Sequence, residues 1–81
     1  MEIEWTGTAL ADMADLEKGI ARRVKKAVER FAETGGGDIK KLQDIDPPEF
    51  RLRIGDYRVR FHREDDTMRI LRVRNRHEAY R

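Results

Sequence analysis

The chain has 81 residues, 38% hydrophobic and 42% charged, with 18 Lys+Arg against 16 Asp+Glu, a length that suits one small domain spanning residues 1–81 with a thin core. The absence of Cys excludes a disulfide scaffold and a Cys-ligated zinc site. No apolar run approaches a membrane span, which rules out a membrane protein, and Met1-Glu2-Ile3-Glu4 does not read as a signal peptide, so a cytoplasmic location is expected.

The chain opens with Met1, Ile3 and Trp5 alternating with Glu2 and Glu4, the period of a strand with one buried face. Thr6-Gly7-Thr8 breaks that period and offers a helix cap. Leu10, Met13, Leu16, Ile20, Val24, Val28 and Phe31 then recur mostly every three or four residues, as one apolar helical stripe. Asp15 and Gly19 divide that stripe into a helical hairpin, with a single bent helix as the alternative. Gly35-Gly36-Gly37 stops the helix. Residues 38–49 are polar and contain Pro47-Pro48, which predicts an extended connection.

Beyond Pro48 the period becomes two. Phe50, Leu52 and Ile54 alternate with Arg51 and Arg53, Gly55-Asp56 makes a two-residue turn, and Tyr57, Val59 and Phe61 alternate with Arg58, Arg60 and His62. Residues 63–67 form a polar turn, and Met68 to Arg74 form the last strand. In that strand Leu71 and Val73 share one face and Arg72 and Arg74 the other. Met68 and Ile70 have the parity of the arginines, so that face is partly apolar or the strand carries a bulge. The predicted order is β-α-α-β-β-β. It is an α+β fold with the helical hairpin packed on one face of a small, mostly antiparallel sheet.

A two-residue turn at Gly55-Asp56 sets Ile54 opposite Tyr57, Leu52 opposite Val59 and Phe50 opposite Phe61, all on the side the helices cover. The same register sets Arg53 beside Arg58 and Arg51 beside Arg60 on the other side. Like charges directly opposite destabilise a strand pair, so this cluster calls for a counter-charge. The guanidinium fork suits phosphate oxygens, which makes the open face a candidate nucleic-acid surface. The plain alternative is a solvated face partly neutralised by Glu2 and Glu4. Residues 50–81 contain ten basic residues, all Arg, against five acidic ones, whereas residues 1–49 contain eight basic and eleven acidic. Arg22, Lys26 and Arg30 form a second basic row along the helix. Pairing with Glu29 is its simpler reading and docking onto a large RNA the sharper one. Glu64-Asp65-Asp66 reads as a solvated turn, and no metal site or cofactor is expected.

The C-terminus, Arg72-Val73-Arg74-Asn75-Arg76-His77-Glu78-Ala79-Tyr80-Arg81, brings Arg, His and Tyr together beside the arginine face. RNA cleavage needs a group to take the 2′-hydroxyl proton, cations for the developing phosphorane charge and an acid for the leaving oxygen. Neighbouring arginines would favour the phenolate form of Tyr80, and His77 is a second candidate for that role near neutral pH. The competing reading is a Tyr packed on the sheet edge and an idle His.

With these residues in view, the chain resembles the RelE/ParE superfamily of bacterial type II toxins over nearly its whole length. The resemblance rests on Trp5-Thr6, the helical hairpin, Lys40-Lys41-Leu42, Phe50-Arg51-Leu52-Arg53-Ile54-Gly55-Asp56-Tyr57-Arg58-Val59, Leu71-Arg72-Val73 and Arg76-His77-Glu78-Ala79-Tyr80. It implies two helices on one face of a small sheet. For the RelE-like branch it implies a ribosome-dependent endoribonuclease that cuts mRNA by metal-free 2′-oxygen attack, leaving a 5′-hydroxyl. On that resemblance Arg51 and Arg53 stabilise charge near the attacked phosphate, Arg58 clamps phosphate, Arg76 stabilises the transition state or leaving group, and Tyr80 is the base or orienting group. Arg51 and Arg53 stand where that branch often has Lys, so neither can act as acid or base. Arg60, Arg72, Arg74, His77, Arg22 and Lys26 complete the expected RNA-binding set. The expected partners are a cognate antitoxin, the ribosome and mRNA. Two other classes compete: a ParE-like toxin that inhibits DNA gyrase by protein contact, and a basic module that binds RNA without cutting it.

Overall fold

A computed structural model describes residues 1–75. The chain runs β1 (Glu2–Trp5), α1 (Gly7–Ala14), α2 (Lys18–Thr34), β2 (Asp38–Lys41), β3 (Glu49–Ile54), β4 (Tyr57–Glu64) and β5 (Thr67–Asn75). The strands form one sheet in the order β1-β5-β4-β3-β2. β1 pairs parallel with β5, and every other pair is antiparallel. Both helices lie on one face, in the expected α+β arrangement. Among the described residues no helix is long and apolar enough to cross a membrane.

Local chemistry accounts for the element ends. Thr6 caps α1: its Oγ1 accepts from the Ala9 N–H at 3.2 Å and donates to the Ile70 carbonyl at 2.8 Å, so one hydroxyl starts the helix and ties it to β5. The chain breaks after Ala14 and restarts at Lys18, making the hairpin rather than one bent helix. α2 ends at Gly35, whose φ of 75° is left-handed and whose N–H reaches the Phe31 carbonyl at 2.8 Å. The polar segment after it holds a fifth strand where a connection was expected. Asp38–Lys41 pairs with β3 and forms one edge of the sheet.

The β3–β4 register follows the hydrophobic pattern: Phe50 faces Phe61, Leu52 faces Val59 and Ile54 faces Tyr57. Ala9 from α1 and Val24, Val28 and Phe31 from α2 meet Leu52, Val59, Phe61, Met68, Ile70 and Val73 in the core. Phe61 sits between Phe31 and Phe50, with ring centroids 5.2 and 5.6 Å away.

One expectation about side-chain direction is corrected, and one left open is resolved as a bulge. Leu10 is 55% exposed, not part of the inner stripe. With Thr6 anchored to β5, the inward positions of α1 are Ala9, Asp12 and Met13, which are three and four residues apart. In β5, Arg60 pairs with Arg72 while Phe61 pairs with Ile70, so Leu71 is the extra residue of a bulge. The bulge resets the parity. Met68, Ile70 and Val73 all reach the core, and Leu71 is only half-buried.

Candidate anion-binding face

The face away from the helices is built by strand alternation. Leu52 and Val59 point inward, so Arg51, Arg53, Arg58 and Arg60 point outward. The register arranges the cations in two rows. One runs Arg53, Arg58, Arg74 across β3, β4 and β5. The other runs Lys40, Arg51, Arg60, Arg72 from β2 to β5. The crowding expected from the hairpin is present, and it extends onto the strands either side.

The rows differ in how they are neutralised. Glu49 is buried on the outward face, and its carboxylate is only 11% exposed. Its Oε2 accepts from Arg60 Nε at 3.0 Å and also from Arg60 Nη2. Its Oε1 lies 3.6 Å from His62 Nε2. Arg72 is engaged at the far end of the same row. Asp12 of α1 reaches around the edge of β5, its Oδ2 2.9 Å from Arg72 Nε and its Oδ1 3.2 Å from Nη2. Such bidentate pairing is the strong form of the Arg–carboxylate contact.

In the other row the exposed Asp38 of β2 stands opposite Arg53 in the register, with no ion pair between them among the described residues. Arg51 Nε is buried without a hydrogen-bond partner among the described residues, between the Lys40 and Arg60 positions. A buried donor left unsatisfied costs about 1–3 kcal/mol, and an anion on this face would supply the missing acceptor. Arg53 Nε donates to the Gly55 carbonyl at 3.3 Å, which holds the side chain along the hairpin turn. Among the described residues neither Arg53 nor Arg74 has a carboxylate partner. Glu4 pairs at 3.4 Å with Arg69, so β1 neutralises the flank of the sheet and not the hairpin arginines.

Other expected site residues fall elsewhere. Arg22 and Lys26 are exposed on α2, behind the sheet, and do not join the arginine face. The simpler pairing of that row with Glu29 does not form among the described residues. Arg76, His77 and Tyr80 lie outside the described residues. The acidic turn at Glu64-Asp65-Asp66 is exposed, and among the described residues no three His, Asp or Glu side chains are grouped to hold a metal ion. Sequence reasoning passed over Glu49 and Asp12. Glu49 shares the parity of Arg51 and Arg53, which was the available signal. The Asp12 contact spans some 60 residues and has no sequence signal.

A family model described as the ParE toxin of the type II toxin–antitoxin system parDE matches residues 3–80. The chain belongs to this toxin family. Solved structures with the RelE/ParE superfamily fold agree with that placement. The RelB–RelE antitoxin–toxin complex from Methanococcus jannaschii is similar at a TM-score of 0.79 and 25% identity, covering 95% of this chain and 94% of that one. The toxin–antitoxin complex RelBE2 from Mycobacterium tuberculosis is similar at a TM-score of 0.69 and 29% identity, covering 93% and 90%. The intact RelBE complex from E. coli shares the fold at a TM-score of 0.64 and 18% identity, covering 91% and 94%. No curated protein matches the chain. As a member of this family the chain is a toxin of a type II toxin–antitoxin system.

Proposed function

We propose that this ParE-family toxin acts as a RelE-like, ribosome-dependent mRNA endoribonuclease neutralised by a cognate antitoxin. The observation that carries this reading is the sheet face away from the helices, where Arg51, Arg53, Arg58 and Arg74 gather on three adjacent strands and, among the described residues, the Arg51 Nε has no acceptor. A protein that works only through protein contact has no need of so many like charges in register, each opposing pair costing stability. Phosphate oxygens would satisfy them.

In the proposed reaction the RNA 2′-oxygen attacks the adjacent phosphorus, and the bond to the 5′-oxygen breaks. The products are a 2′,3′-cyclic phosphate and a 5′-hydroxyl. Arg51, Arg53 and Arg58 hold the phosphate and offset the charge that grows on its oxygens. Arg76 supports the transition state or leaving oxygen. Tyr80 takes or orients the 2′-hydroxyl proton, with His77 as an alternative proton carrier. The antitoxin would be largely disordered alone and would set acidic groups against the same arginines. The antitoxin–toxin complexes among the similar structures support such a partner.

The second reading, inhibition of DNA gyrase by protein contact, is favoured by the family match to the ParE toxin. One induction experiment separates the two. Mapping RNA 5′ ends after expression should reveal cuts within translated codons while plasmid supercoiling stays normal. Relaxed plasmid with intact mRNA would overturn the nuclease reading.

A further inference from the structure

We infer that Glu49 divides the arginine face. It keeps Arg60 out of the anion-binding set, so that the polyanion follows Arg51, Arg53 and Arg74. The inference rests on the proposed RNA-binding reading and adds a path across the face and a positioning residue that sets it.

Three observations carry it. Glu49 is the one acidic residue among the buried described residues, and its carboxylate faces the open side, not the core. Its two oxygens are divided between neighbours on β4, Oε2 holding Arg60 through two donors and Oε1 facing His62. Arg60, although exposed at its tip, therefore has its fork already filled by an oxyanion of the same geometry a phosphate would offer. A phosphate approaching Arg60 would also meet the fixed negative charge of Glu49. Asp12 does the same to Arg72 at the other end of that row. Among the outward arginines on β3, β4 and β5, Arg60, Arg72 and Arg69 thus carry carboxylates, from Glu49, Asp12 and Glu4. Arg51 stands beside Arg60 with its own Nε unsatisfied among the described residues, so the boundary of the track falls between these two. Removing Arg60 from the set also relieves the like-charge opposition of Arg51 and Arg60, which accounts for a carboxylate on a face otherwise given to cations.

The salt dependence of RNA binding tests this directly, because each phosphate contact contributes about 0.7 to the slope of log affinity against log salt for a single strand. The probe is a short, fluorescently labelled single-stranded RNA of mixed sequence, titrated with the full chain between about 50 and 200 mM salt. Arg53→Ala should flatten the slope by about 0.7. Arg60→Ala should leave it unchanged. Glu49→Gln, which keeps the shape and removes the charge, should free Arg60 and steepen the slope by about 0.7. An Arg60→Ala slope as flat as that of Arg53→Ala would overturn the inference and leave the RNA-binding reading standing. Should Glu49→Gln fail to fold, the Arg53 and Arg60 variants still decide it. A wild-type chain that does not bind the probe at low salt would overturn both.

Discussion

Asp12 ties α1 to the stretch of β5 that β1 leaves unpaired, and its removal has a calculable cost. β1 pairs with β5 only from Thr67 to Ile70, so the backbone beyond that point needs other partners. Asp12 Oδ2 accepts from the Val73 N–H at 2.9 Å as well as from Arg72. Asp12→Ala leaves that N–H without its partner, at about 1–3 kcal/mol. The ion pair is partly solvated, with side-chain exposures of 16% for Asp12 and 34% for Arg72. Its loss therefore adds no more than about 1 kcal/mol. The sum, about 1–4 kcal/mol, is a sizeable part of the roughly 4–12 kcal/mol expected for a chain of this size. At about 4–8 °C per kcal/mol the melting temperature should fall by roughly 4–32 °C. Asp12→Asn keeps an acceptor for the Val73 N–H and should cost only about 1 kcal/mol. Urea and thermal unfolding followed by circular dichroism measure both. An Asp12→Ala variant within about 0.5 kcal/mol of wild type would refute the reasoning, since surface substitutions without a structural role fall in that range.

Phe61 is fully buried between Phe31 and Phe50, and Phe61→Ala should cost about 3–5 kcal/mol in urea unfolding. A loss below about 1 kcal/mol would contradict the assigned core. Gly37 has φ 147°, and a Cβ there would lie 2.9 Å from Leu52 Cδ1. Gly37→Ala should therefore lose about 1–3 kcal/mol from backbone strain, with a further penalty from the clash. A neutral result in the same unfolding assay would count against the approach of this segment to the sheet. Arg76→Ala and Tyr80→Phe should each slow mRNA cleavage at least about 100-fold and abolish growth arrest, with unfolding curves unchanged. Full toxicity in either variant would remove that residue from the proposed mechanism.

The parts of the fold legible in the sequence were those with strong local periodicity. Two alternating segments around Gly55-Asp56 leave one register that turns all six apolar residues to the inner face, and the structure adopts it. β2 was not legible because Asp38-Ile39-Lys40-Lys41 has a single apolar residue. Three of its four residues are exposed, and it is a strand only because β3 offers an edge to pair with. The conflicting parity of Met68 and Ile70 against Leu71 and Val73 was visible in the sequence. Its resolution as a bulge at Leu71 depends on Phe61 across the sheet. The arginine cluster followed from the hairpin register, but its internal carboxylates did not. Glu49 follows Pro47-Pro48 and reads as the end of a polar connection, and Asp12 reads as an ordinary polar position in a helix. Both acquire their meaning from partners brought in by the tertiary fold.

The central claim is that the arginine face acts on RNA and not on a protein target. Purified toxin can be added in parallel to ribosomes programmed with a defined mRNA and to a DNA gyrase supercoiling reaction. The account predicts mRNA cut at the ribosome-occupied codon with a 5′-hydroxyl end, no cutting by the Arg53→Ala variant, and undiminished supercoiling. Intact mRNA together with blocked supercoiling would contradict it.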